Sequence, residues 1–156
     1  MNKILKLFIF FLFIITLQNC DYKPILSNKN INFSIINISG TDNDITRSIK
    51  SNLKMYTNKT GYKNNYELII NLEKNKITKS RNSKGEPITL SLVIDGEILI
   101  LENNKILNKI KINKFFNFKN TSNKFNLDEY ENNIFNNLIL KINDELIVKL
   151  IDLSND

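Results

Sequence analysis

Histidine and tryptophan are absent from the chain, and cysteine occurs once, at Cys20. Without imidazole or a second thiol, the side chains that usually hold zinc or activate a nucleophile are missing, which argues against a zinc centre and against His-dependent hydrolysis. An intramolecular disulfide is impossible with one thiol, so the fold must be held by packing alone. No apolar run reaches the roughly 20 residues that a stable membrane-spanning helix needs. What is abundant is Asn, Ile and Lys, spread evenly along the chain; apolar residues make up 42% of the 156. That content is well above the range of intrinsically disordered chains, and the length suits a single domain.

The first 19 residues have the layout of an export signal. Lys3 and Lys6 precede the run LFIFFLFIITL over 7–17, and Gln18, Asn19 and Cys20 follow. As a helix this run extends about 16 Å, short of the roughly 30 Å hydrocarbon core of a bilayer. The tetrapeptide Leu17-Gln18-Asn19-Cys20 resembles the lipobox at which bacterial lipoprotein precursors are cut, with Leu three places before a Cys that then carries lipid. The expectation is a signal peptide over 1–19 and a lipidated N-terminus and tether over 20–30. Several acyl chains on Cys20 would anchor the chain stably, because each buried CH₂ contributes about 0.8 kcal/mol and one chain alone binds only marginally. Losing Lys3 and Lys6 lowers the basic residues from 22 to 20 against 16 acids, a net charge of +4. For an exported chain this favours anionic lipid over nucleic acid.

From residue 31 onward, periodicity predicts one α+β domain over 31–156. Ile31, Phe33 and Ile35 alternate before Ile36 and Ile38 shift phase, which reads as a first strand with an irregularity, closed by Gly40. Ile45, Ile49, Leu53 and Tyr56 mark one face of a helix over 43–56, with Asp42 as the expected N-cap. Tyr66, Leu68, Ile70 and Leu72 form a second strand, and the polar stretch 74–86 reads as a connecting loop, basic at its tip. A third strand starts near Pro87 with Ile88, Leu90, Leu92 and Ile94 on one face. Asp95-Gly96 and Asn103-Asn104 are both turn signals; continuation through Gly96 with a bulge is the expectation. The fourth strand, over 106–118, places Ile106, Ile110, Ile112, Phe116 and Phe118 on one parity. A long final helix follows, with Asn126 and Glu129 at capping-box spacing. Its ridge is Tyr130, Ile134, Leu138, Ile142, Leu146 and Leu150. The order β-α-β-β-β-α gives a two-layer α+β sandwich, a four-stranded mixed sheet with two helices on one face.

This order of elements, together with Cys20-Asp21-Tyr22-Lys23-Pro24 and the stretch FNLDEYENNI over 125–134, resembles the lipopolysaccharide-assembly lipoproteins of the LptE family. Their mature chains begin Cys-Gly-Phe/Tyr-x-Pro; Cys20, Tyr22 and Pro24 match, and Asp21 replaces the Gly. The resemblance implies a lipid-anchored subunit on the periplasmic side of the outer membrane, with a diacylglyceryl and an N-terminal acyl group on Cys20 and no other cofactor. It also implies that the subunit plugs the outer-membrane β-barrel LptD, helps it assemble, and binds lipopolysaccharide in transit. The implied contact residues are Lys79, Arg81 and Lys84, where the family presents cations to phosphorylated sugars. Asp21 resembles, in enteric bacteria, a signal for retention in the inner membrane.

Two other function classes remain in view. A scaffold lipoprotein of another envelope machine would share the anchor and the small domain without binding lipopolysaccharide. An envelope hydrolase would need a nucleophile with its base or two convergent carboxylates, and the acids here are scattered along helix and strand faces. The expected class is therefore a non-enzymatic binding protein.

Overall fold

The computed structural model of the protein describes residues 31–121 and 123–155; Cys20, the signal segment and the tether expected over 20–30 lie outside them. The strands are β1 (Phe33–Gly40), β2 (Asn64–Arg81), β3 (Pro87–Glu102) and β4 (Lys105–Lys119). The helices are α1 (Asp44–Asn52), continued by a 3-10 turn (Leu53–Tyr56), and α2 (Lys124–Asn155). The sheet runs in the order β1-β2-β3-β4, with β1 parallel to β2 and the other pairs antiparallel. The architecture is thus the α+β sandwich expected, a four-stranded mixed sheet with two helices.

Strand parity decides which face the helices cover. Leu68, Ile70 and Leu72 of β2 stand opposite Ile100, Ile98 and Gly96 of β3, and Ile98 and Gly96 stand opposite Ile110 and Ile112 of β4. These residues, with Ile45 and Ile49 of α1 and Ile134, Leu138, Ile142, Leu146 and Leu150 of α2, form one continuous core. Three ion pairs stitch the same sheet face to the helices: Lys74 to Asp44 of α1 (3.7 Å), and Lys76 and Lys114 to Glu131 and Glu145 of α2 (2.8 and 2.6 Å). At the far end of the sheet, Asn64 Nδ2 donates to the Ser154 carbonyl (3.0 Å), fixing the C-terminal turn of α2 beside the start of β2.

Several local expectations change. The stretch 74–81 is strand, and the loop shrinks to the turn of Asn82 to Glu86. Its polar residues hid it, because lysines stand where apolar residues would. Lys74 lies over the Phe135 ring (4.6 Å) and Lys76 reaches Glu131, so their stems cover apolar surface while their charges are paired. The N-cap of α1 is Asn43 rather than Asp42: Asn43 Oδ1 accepts from the Thr46 N–H (2.9 Å), while Nδ2 donates to the Leu72 carbonyl (2.8 Å). α2 is 32 residues long and starts at Lys124, where Asn123 Oδ1 accepts from the Asn126 N–H (3.3 Å), so Asn126 sits inside the helix rather than capping it. β3 does continue through Gly96, but in regular register and without a bulge; the irregularity lies between Ile100 and Leu101. Tyr130, Ile106 and Phe116, expected in the apolar stripes, are exposed.

Candidate functional site

β1 pairs with β2 only as far as Ile70, so beyond that point β2, β3 and β4 project as a three-stranded blade. The blade ends in the β2–β3 turn. Asn82 organises this turn: its Oδ1 accepts from the backbone N–H groups of Lys84 and Glu86 (both 2.9 Å) and its Nδ2 donates to Glu86 Oε2 (2.7 Å). Arg81 closes the turn by donating from its guanidinium to the Gly85 carbonyl (2.8 Å). This arrangement needs Gly85 at φ 81°, a conformation glycine adopts without steric cost.

The three cations read from the sequence lie in this turn or in the last residues of β2 before it. Lys79 falls in the short irregular stretch of β2, where register shifts between Thr78 and Ser80, and Arg81 stands opposite Pro87. Lys84 is in the turn itself, and all three side chains are exposed. The register adds a fourth, because Thr89 pairs with Lys119 at the end of β4. Sequence reasoning missed Lys119. Counting outward from the Asn103-Asn104 turn brings residue 118 opposite Thr89, and the one-residue shift at Ile100/Leu101 replaces it with Lys119. Among the described residues none of these four cations forms an ion pair. The nearby carboxylate, Glu86, is engaged by Asn82. Exposed ammonium groups beside a guanidinium that donates to the Gly85 carbonyl could meet a multivalent anion such as a phosphorylated sugar.

Away from the hairpin tip, a concavity of about 520 Å³ lies between α1 and β1, lined by Ile36, Ile38, Arg47, Lys50 and Lys54. Its charge is partly spent. Arg47 donates to Asp44 (2.6 Å) and Asp42 (2.7 Å), and these two bonds raise its pKa above the ordinary arginine value. Among the described residues no group of three acidic, His or Cys side chains is placed to hold a metal ion. Also among them, no helix is long and apolar enough to cross a membrane.

No protein-family model matches the sequence, and no curated protein matches it. Solved structures do match its fold. The chain is similar to rare lipoprotein B of Shewanella oneidensis, at TM-score 0.57 and 14% identity, over 78% of this chain and 96% of that one. It is similar, too, to an uncharacterized lipoprotein B of Nitrosomonas europaea, at TM-score 0.57 and 13% identity, over 79% and 85% of the two chains. A minor lipoprotein of Acinetobacter baumannii matches at TM-score 0.53 and 15% identity, over 79% and 94%. The chain has the fold of these bacterial lipoproteins. At such identities the likeness concerns the arrangement of strands and helices. The matched share of this chain leaves room outside it for the segment that carries Cys20.

Proposed function

We propose that this chain is a lipid-anchored envelope lipoprotein that binds lipopolysaccharide through the tip of its β2–β3 hairpin and plugs the outer-membrane barrel LptD during lipopolysaccharide transport. One coincidence carries the reading: a fold found in bacterial lipoproteins occurs in a chain whose sole cysteine is the last residue of a lipobox-like tetrapeptide at the end of a short apolar run. The anchor would be the diacylglyceryl and acyl groups on Cys20, and the rest of the protein needs no cofactor. The role is binding without chemistry. Lys79, Arg81, Lys84 and Lys119 supply charge at the end of a rigid blade, where phosphate groups can be met without unfolding anything.

Support for the plug role comes from shape and polarity. A two-layer domain with an open, largely polar sheet face is compatible with the polar interior of a wide barrel. The outer membrane is the first expected location; Asp21, directly after the lipidated position, makes the inner membrane the alternative. Affinity purification of the full chain from membranes, with identification of what accompanies it, tests the partner. A large β-barrel protein in the eluate supports the reading. Its absence, with some other envelope complex recovered instead, favours a scaffold lipoprotein of that complex. Metabolic labelling with palmitate tests the anchor: the wild-type chain should carry label, and the C20S variant should not.

A further inference from the structure

The apolar side chains that stay exposed are not spread evenly. Ile106, Leu107, Phe115 and Phe116 lie on β4, and Phe125, Tyr130 and Leu140 lie on the neighbouring helix α2. Phe115 belongs to the open sheet face and Phe116 to the helix face, so both sides of this one edge present an exposed aromatic ring. Beside Phe116, a groove of about 400 Å³ runs between β4 and α2, lined by Tyr130, Ile134, Leu138, Leu140 and the oppositely charged Lys141 and Asp144.

The backbone of the same edge is free. Among the described residues β4 is hydrogen-bonded to β3 on one side and to nothing on the other, and from Asn108 to Lys119 its pairing runs without irregularity. The other edges of the sheet are blunted. β1 is broken by a register shift between Ile35 and Asn37 and is covered where Thr57 bridges Ile35 and the Asn58 N–H donates to the Ile35 carbonyl (3.0 Å). The projecting part of β2 carries two register shifts, at Thr78/Ser80 and Ser80/Arg81. Bulges and covering segments are the usual defences against strand addition, and β4 has neither over that stretch.

The geometry points to β4 as a docking edge for an acidic extended segment of a partner protein, which would add a fifth strand to the sheet. Its charges select that partner. Lys109 and Lys114 are neutralised by Glu97 (2.5 Å) and Glu145 (2.6 Å). Lys105 and Lys111 have no ion pair among the described residues, and Glu97, directly across from Lys111, is taken by Lys109. A second copy of the chain would bring lysine-bearing edges together, whereas an acidic strand would meet Lys105 and Lys111 favourably. Backbone bonds would supply affinity, while Phe115 and Phe116 receive alternate side chains on the two faces. This holds whether or not the hairpin tip binds lipopolysaccharide.

The test uses the full chain in detergent, a capped ten-residue peptide of alternating Glu and Val, and the same peptide with Lys in place of Glu. Hydrogen–deuterium exchange and fluorescence anisotropy are read together. In the free chain the amides of 108–119 that face away from β3 should exchange quickly. The Glu peptide should slow them, with no slowing along β1 or β2, and the Lys peptide should have no effect. The double variant K105E/K111E, altered at two exposed positions, should bind the Glu peptide about tenfold more weakly at low salt. Equal effects of both peptides, protection along another edge, no protection, outward amides already protected in the free chain, or self-association through β4 would each overturn the proposal.

Discussion

Gly96 and Asn71 approach so closely across β2 and β3 that a Cβ added to Gly96 would lie 2.1 Å from the Asn71 carbonyl oxygen. The Gly96 backbone also sits at φ 138°, which side chains of L-residues rarely tolerate. Both facts place the demand for glycine in the middle of a strand. Gly96→Ala should therefore destabilise the domain by at least about 2 kcal/mol, through backbone strain and the displacement of β2. Urea unfolding of the two proteins measures this; a change within about 0.5 kcal/mol would show that the sheet does not cross at this point as described.

Asn43 joins α1 to the sheet with both ends of its amide, accepting from Thr46 and donating to Leu72. Asn43→Asp keeps the cap and loses the donor; Asn43→Ala loses both. The expected order of stability is wild type, then Asp, then Ala, with Ala lower than wild type by about 1–2 kcal/mol. Thermal unfolding would reveal a reversed order if Asp42 were the functioning cap.

Asn143 is buried in α2, and among the described residues neither its Oδ1 nor its Nδ2 finds a hydrogen-bond partner. Burying such an amide costs about 1–3 kcal/mol, and leucine has a similar size and suits the surrounding core. Asn143→Leu should raise the melting temperature by about 3 °C or more. A lower melting temperature would mean that the amide is satisfied in solution, and hydrogen exchange at this turn of α2 would then report it.

The ion pair from Lys76 to Glu131 ties the projecting blade to the first turns of α2, with Nζ 2.8 Å from both carboxylate oxygens. Lys76 is about half exposed, so solvent and salt screen the pair. A double-mutant cycle with Lys76→Met and Glu131→Gln should return a coupling of about 0.5–1 kcal/mol that shrinks at 1 M salt. A coupling that ignores salt would contradict this assignment.

How far the sequence carries these conclusions depends on where apolar periodicity is intact. Tyr66 to Leu72, Leu90 to Ile94 and Ile134 to Leu150 alternate or recur cleanly, and each proves to be a strand or a helix facing the core. The signal fails where lysine stems replace apolar side chains, as at Lys74 and Lys76, so half of β2 looks like loop. It fails again where register, not composition, decides position. Lys79, Arg81 and Lys84 were legible as a basic stretch, but Lys119 stands opposite Thr89, rather than opposite Ile88, only because the β3–β4 pairing slips by one residue near Leu101. The choice between a turn and continuation at Gly96 also depends on pairing across three strands, which no local pattern reports.

In the proposed role, lipopolysaccharide meets the cations at the hairpin tip. Binding of purified lipopolysaccharide to the full chain should be measured beside the K79E/R81E/K84E variant, with circular dichroism to show that both are folded. The predicted result is saturable binding by the wild type and at least a tenfold loss in the variant, which stays folded although it loses the Arg81 bond to the Gly85 carbonyl. Equal binding by two equally folded proteins would contradict it.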